Sequence, residues 1–285
     1  MPSYTEPGLL TFAGKYESLF DGLPGDVAGL ARVAQGLLIH EFLAHEYGVT
    51  LTDESRATVH LRPVEAILDA VVSVDDRPLD QARPPERRVA SNCRGFTVLT
   101  VAMLRARGVP ARARCGFGNY FGGDGFHEDH WVAEWYDAGQ DRWRLADAQL
   151  DEKQRGLFSI TFDVTDVPRD RFVVAGDAWT RYRSGAADPD RFGLSSINEA
   201  GAWWIAGNLA RDAAALTGVE VLPWDCWGVM PEPTDPVDEA LFDRLAELTR
   251  EPSVDELSRF LRDDERVRVP DTVRNALRQR QEPLR

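Results

Sequence analysis

The sequence predicts an α+β protein in which one helix packs on a small antiparallel sheet. Three observations predict this class. A helical segment at 91–110 is followed by three segments with strand character, at 111–116, 130–136 and 142–145. The last two strands flank a short polar stretch typical of a hairpin. Mostly helical patterns lie on both sides, and a helix followed by an antiparallel sheet is α+β organisation.

One domain accommodates this length and pattern. We expect a single domain over 1–285, with 90–150 as its core, 1–89 as a helical N-terminal part and 151–285 as a mostly helical C-terminal part. The chain carries 33 Lys and Arg against 47 Asp and Glu, a net charge of −14, and 43% of its residues are hydrophobic. A folded, acidic protein of this kind is a poor partner for nucleic acid or anionic lipid.

The beginning of the sequence lacks a cationic segment followed by an apolar one, and no run of about 18 apolar residues occurs. We therefore expect a cytoplasmic protein without a membrane segment. Its three cysteines are too few and too scattered for a disulfide framework or a Cys-x-x-Cys metal site.

The N-terminal part predicts two helices before the core. Apolar residues at three- and four-residue steps predict a helix over 24–48, with Asp26 as its cap and Gly48 at its end. A second helix starts at Pro63 and stops at Asp75, and the polar stretch 76–90 fits an exposed connection.

The core helix has a cap and a stop. Ser91 or Asn92 caps the helix over 91–110, and Gly108 with Pro110 closes it. Five glycines between 116 and 125 predict a mobile loop that is a candidate lid. In the C-terminal part, the residue pattern predicts four helices, at 197–216, 236–249, 253–264 and 270–281.

Cys93 is the residue best placed for nucleophilic chemistry. It lies in the first turn of the core helix, where free backbone N–H groups and the helix dipole favour a thiolate. A thiolate needs a proton carrier, and His130 at the first position of a predicted strand can stand beside it. Asp147, at the end of the neighbouring strand, can orient the imidazole. His127 is a less well placed alternative base.

These residues resemble the transglutaminase-like superfamily, a branch of the papain-like cysteine enzymes, over about 90–150. The resemblance rests on Cys93, on Gly108-Val109-Pro110-Ala111-Arg112, on His130-Trp131-Val132, and on Trp143 followed by Asp147. It implies a papain-like fold with Cys93 as nucleophile, His130 as general base and acid, and Asp147 as the orienting carboxylate. It departs from the papain proteases at Arg87, where they carry the glutamine that completes the oxyanion hole.

The resemblance implies acyl transfer or amide hydrolysis through a cysteine thioester, on a small molecule or a peptidyl or acyl group held by a carrier. A cysteine peptidase or amidase is an alternative, and a binding or scaffold protein that keeps the fold without turnover is another. No cofactor is required. Trp131, Asp129 and Asp124 are candidate substrate-binding residues, the two carboxylates for an amine.

Other residues favour structural roles. Cys115 and Cys226 fit core packing, as do most of Trp203, Trp204, Trp224 and Trp227. His40 and His45 are five residues apart, about 140° around a helix, so they cannot grip one zinc ion and fit surface or capping roles. The segment from His127 to His130 lacks a second cluster to complete a metal site, so we expect no metal.

Overall fold

A computed structural model describes residues 4–122, 124–250 and 253–284 of the chain. Its helices are α1 (Val27–Leu37), α2 (Asp53–Arg56), α3 (Val64–Val74), α4 (Cys93–Ala106), α5 (Glu152–Leu157), α6 (Ala175–Arg183), α7 (Ala202–Leu216), α8 (Glu239–Arg250) and α9 (Val254–Asp263). Its strands are β1 (Leu38–His40), β2 (Val89–Ser91), β3 (Ala111–Gly118), β4 (His127–Asp137), β5 (Arg142–Ala146), β6 (Phe172–Val174), β7 (Phe192–Leu194), β8 (Glu199–Ala200), β9 (Asp225–Cys226), β10 (Thr272–Asn275) and β11 (Arg280–Pro283). The predicted α+β class is confirmed.

The central sheet contains the three strands predicted for the core. Its order is β6-β3-β4-β7-β8, and β5 pairs with β4. β3 and β4 are antiparallel with Cys115 opposite Trp131, and β4 and β5 form the predicted hairpin with Ala133 opposite Ala146. β4 starts three residues earlier than expected, at His127, because its first residues pair with β7.

The core helix α4 begins at Cys93 because Asn92 caps it, with the side chain of Asn92 accepting a hydrogen bond from Gly95 N. It ends at Ala106, two residues before Gly108, which has a left-handed φ of 72° that favours glycine. Almost every side chain of α4 is buried, because the helix lies among α1, α3, β3 and β4. A central helix with no free face fixes its first turn firmly.

The predicted helix over 24–48 is wrong in its second half. α1 ends at Leu37, and Leu38–His40 forms β1, which pairs in parallel with β2. The backbone hydrogen bonds that a longer helix would have made are replaced by bonds to a strand about 50 residues away. Phe42, which the helical pattern assigned to the buried face, is 51% exposed. The connection expected at 76–90 is therefore partly buried, since its last residues belong to β2.

The predicted helix over 270–281 is also wrong. This segment and the residues after it form the antiparallel strands β10 and β11, and β10 also pairs with β9. Tertiary pairing overrides helix propensity here, with Gln279 taking a positive φ of 51° in the turn. The helix predicted at 197–216 starts later, at Ala202, while α8, α9 and α3 lie close to their predicted positions.

Two apolar clusters form the larger part of the interior. One surrounds α4 and joins the N-terminal helices to the sheet, and the other surrounds α7 in the C-terminal half. Arg114 on β3 connects the sheet to α7, donating to Asp212 at 2.8 and 2.9 Å and to Glu134 at 3.0 Å, all in buried surroundings. Among the described residues, no helix combines the length and the apolar character needed to cross a membrane.

Candidate active site

Cys93 is the first residue of α4 and is 7% exposed. Besides capping the helix, Asn92 donates from Nδ2 to Val59 O at 3.0 Å, which ties the turn before the cysteine to the N-terminal part. The first N–H groups of an α-helix have no carbonyl partner within the helix and carry its positive dipole end. The thiol therefore stands where negative charge on sulfur, or on an oxygen beside it, is favoured.

His130 and Asp147 meet directly behind this cysteine. The Nε2 atom of His130 lies 2.7 Å from Oδ2 of Asp147, and both side chains are buried. Burial lowers the pKa of His130, but the Asp147 charge, the hydrogen bond to it and a hydrogen bond to Cys93 together raise that pKa to about 10. The three predicted residues are thus brought together at the N-terminal end of α4.

Asp147 is held by three further contacts. Its backbone N–H donates to Val164 O at 2.8 Å, and its carboxylate accepts from Gln149 N at 3.2 Å. The hydroxyl of Tyr120 donates to Oδ2 at 2.8 Å, the same oxygen that faces His130. A buried carboxylate with these partners stays fixed in position and oriented towards the imidazole.

Aromatic rings surround the imidazole and separate it from water. The ring of Phe121 lies 4.7 Å from that of His130, and the rings of Tyr120 and Phe172 lie at 6.0 and 6.3 Å. Phe158 packs edge-on against Phe121 at 5.2 Å. Electrostatic interactions between the histidine and its partners are stronger in such apolar surroundings than in water.

The three candidate substrate-binding residues lie in different places. Trp131 is 1% exposed, and because neighbouring residues of a strand point to opposite faces, its indole points away from the face of His130 and into the core around α4. Asp129 accepts a hydrogen bond from Trp204 Nε1 at 2.7 Å. Asp124 is exposed and lies 3.4 Å from Arg191. Trp131 is therefore a core residue, and it lies apart from the exposed Asp124.

The alternative residues fit structural roles. Cys115 is fully buried, which raises the pKa of its thiol well above the ordinary value. Cys226 is half-buried, with its sulfur 3.8 Å from Arg211 Nη2. His127 stacks on Phe192 at 4.3 Å, away from Cys93. In the described ranges, no group of three or more His, Cys, Asp or Glu side chains is arranged to hold a metal ion.

Two buried residues, Tyr120 and His40, were not predicted from the sequence to belong to the site. Tyr120 belongs to the segment expected to be a mobile loop, yet it is buried and bonded to Asp147. His40 was expected at the surface or at a helix cap, yet it is 9% exposed on β1. Burial, and then the positive charge of His130, lower the pKa of His40 to about 3. Neither residue belongs to a periodic pattern or a motif.

Comparison with known proteins supports the likeness seen in the motifs. Residues 61–148 match the transglutaminase-like superfamily, a stretch that includes Cys93, His130 and Asp147. No curated protein matches the sequence. The crystal structure of a proposed cysteine protease from Cytophaga hutchinsonii is similar at 17% identity and a TM-score of 0.33, over 60% of this chain and 44% of that one, so the match spans less than half of its length. Over residues 61–148, which include the three candidate catalytic residues, the chain is thus similar to the transglutaminase-like superfamily.

Proposed function

We propose that the protein transfers or hydrolyses acyl groups through a thioester on Cys93. The observation that carries the proposal is the pair in which His130 Nε2 lies 2.7 Å from Asp147, with Cys93 close enough to help raise the pKa of the imidazole. A thiolate beside an imidazolium at a helix N-terminus is the arrangement that attacks carbonyl carbon. We propose that Cys93 is the nucleophile, His130 the general acid and base, and Asp147 the orienting group.

The proposed reaction has two halves. Cys93 Sγ bonds to the carbonyl carbon of an amide or ester, and His130 gives its proton to the leaving amine or alcohol as the C–N or C–O bond breaks. In the second half His130 accepts a proton from an incoming water or amine, which attacks the thioester and expels the Cys93 thiolate. Water gives a carboxylic acid, and an amine gives a new amide. Asp147 stabilises the imidazolium in both halves.

The exposure of the site favours a narrow substrate. Cys93 is 7% exposed and His130 is 2% exposed, and the ring of Phe121 stands 4.7 Å from the imidazole. A flat protein surface cannot reach a sulfur at this depth, whereas a slender acyl group can. We therefore propose a small or carrier-bound acyl substrate, with hydrolysis of a peptide or other amide as the alternative reaction of the same site.

Two measurements test the proposal. Iodoacetamide should alkylate Cys93 faster than Cys226 at pH 6, because a thiolate paired with an imidazolium is ionised where an ordinary thiol is not. Incubation with a library of acyl esters and amides, followed by mass spectrometry, should show an acyl adduct on Cys93. Its release by water and by added amines then separates hydrolysis from transfer.

Two results would contradict the proposal. If Cys93 reacts with iodoacetamide no faster than the half-buried Cys226, the ion pair does not form. If no ester or amide leaves an adduct on Cys93, the result favours a binding or scaffold protein, since that class of protein keeps the fold without a reactive sulfur. The matched control is His130→Ala, which should remove the rapid alkylation.

A further inference from the structure

A second histidine, His40, lies on β1, the strand that pairs with β2 just before α4. β1 and β2 are parallel, with His40 opposite Ser91. The hydroxyl of Ser91 stands so close to the α carbon of Gly95, in the first turn of α4, that a side chain there would collide with it. Opposite residues of paired strands point to the same face. His40 and Ser91 therefore share the face of the β1–β2 pair that packs against the first turn of α4, the helix that begins at Cys93.

One nitrogen of His40 is engaged and the other is available. Nδ1 accepts a hydrogen bond from Phe42 N at 3.2 Å, so the neutral ring carries its proton on Nε2. Within the described ranges, Nε2 has no hydrogen-bond partner, and it is not among the polar atoms sealed from solvent. An N–H donor with its orientation fixed by the backbone is thus free to bond a ligand.

The charge of His40 suits a donor and not a second base. The side chain is almost completely buried, and the charge of His130 acts on it, which together hold its pKa near 3. The ring is therefore neutral at physiological pH, with one N–H and no charge. A neutral donor stabilises a developing negative charge without competing with Cys93 for the proton of His130.

Acyl transfer at a cysteine needs such a donor, because the carbonyl oxygen becomes negative as sulfur attacks. The backbone N–H of Cys93, in the first turn of α4, can supply one hydrogen bond. The residue at the position of the papain-type glutamine is Arg87, whose side chain is 53% exposed and donates to Val74 O. Arg87 is thus occupied away from the site, and a second donor has to come from elsewhere.

We propose that His40 Nε2–H is the second oxyanion-hole donor, together with the backbone N–H of Cys93. This assignment rests on the proposed thioester chemistry. As Sγ bonds to the carbonyl carbon, the π electrons of the C=O bond move to oxygen, which accepts both hydrogen bonds. When the C=O bond re-forms, the bond to the leaving group breaks and its electron pair departs with that group. His40 gains and loses no proton in this sequence.

The test separates oxyanion stabilisation from thiolate reactivity by using two reagents on Cys93. p-Nitrophenyl acetate acylates sulfur through a tetrahedral oxyanion and releases p-nitrophenolate, whereas iodoacetamide alkylates it by displacement at a saturated carbon and forms no oxyanion. His40→Met should lower the acylation rate about 10²- to 10³-fold and leave the alkylation rate within about twofold. His40→Gln, which restores an N–H donor, should recover much of the lost acylation. His45→Met, at a histidine whose side chain is 71% exposed, is the matched control and should change neither rate.

Several outcomes would overturn the assignment. These are an unchanged acylation rate in His40→Met, a parallel loss of acylation and alkylation, and a His40→Gln protein that circular dichroism shows to be folded but that acylates as slowly as His40→Met. A different result marks failure of the proposed function itself. In that case the wild-type protein forms no acetyl adduct on Cys93, and the oxyanion assignment falls with it.

Discussion

Replacing Asp147 by Asn is the sharpest test of how the site works. The asparagine keeps the size of the side chain and one oxygen, which can accept from either Tyr120 or Gln149 N, but it removes the negative charge 2.7 Å from His130. That charge is the main reason why the pKa of His130 lies at about 10, against the effect of burial. Without it, burial dominates, and the pKa of His130 should fall below the ordinary value of about 6.5.

The size of the effect follows from these values. In the wild-type protein at pH 7.5, almost every His130 ring is an imidazolium, since its pKa is about 10. In Asp147→Asn, with a pKa below about 6.5, less than about one tenth of the rings are protonated at that pH. An ordinary thiol is also only about one tenth ionised there. We therefore expect alkylation of Cys93 at pH 7.5 to fall about tenfold or more.

The assay follows iodoacetamide labelling of the Cys93 peptide by mass spectrometry between pH 5 and pH 10.5, with Cys226 as the internal control. The wild-type protein should label rapidly already at acid and neutral pH, whereas the variant should label slowly there and become fast only as an ordinary thiol ionises, towards about pH 8.5. Stability changes in the same sense. Because the folded pKa of His130 lies above its unfolded value, the His130–Asp147 pair stabilises the fold fully below about pH 6.5, and this contribution is lost as pH rises through about 10. Identical labelling profiles in the two proteins would refute this reasoning.

Further substitutions test the site and its support. Cys93→Ala should abolish both the acyl adduct and turnover without changing the urea midpoint. His130→Ala should lower turnover almost as much as Cys93→Ala does, and more than Asp147→Asn does. Turnover is measured with the best ester in the library. Tyr120→Phe removes a buried hydrogen bond at 2.8 Å and should lower the free energy of unfolding by about 1–2 kcal/mol in urea titrations. Arg114→Met leaves the buried carboxylate of Asp212 without its cation and should cost about 3–5 kcal/mol, whereas Arg244→Met, at a surface ion pair, should cost about 1 kcal/mol or less; equal losses would contradict the role of burial.

The parts of the fold that local chemistry specifies were predictable from the sequence. Asn92 caps α4 and Gly108 follows its end, so the helix lies where the cap and the stop put it. The polar stretch between β4 and β5 closes a hairpin that pairs Asp137 with Arg142. These features depend on residues a few positions apart, and those interactions are the ones a sequence pattern records directly. The placement of Cys93 at a helix start, of His130 on β4 and of Asp147 directly after the adjacent β5 follows from them.

Tertiary structure decided what depends on distant partners. Leu38–His40 leaves the helical pattern because β2 offers backbone hydrogen bonds, and Thr272–Asn275 becomes a strand because β9 and β11 lie on either side of it. Tyr120 reaches Asp147 from a loop without periodicity. The sequence by itself determined which residue types can do the chemistry and which local elements carry them. Only the folded chain decided that His40 lies opposite Ser91, two residues before Cys93, since strand pairing across about 50 residues is a contact that no local pattern encodes.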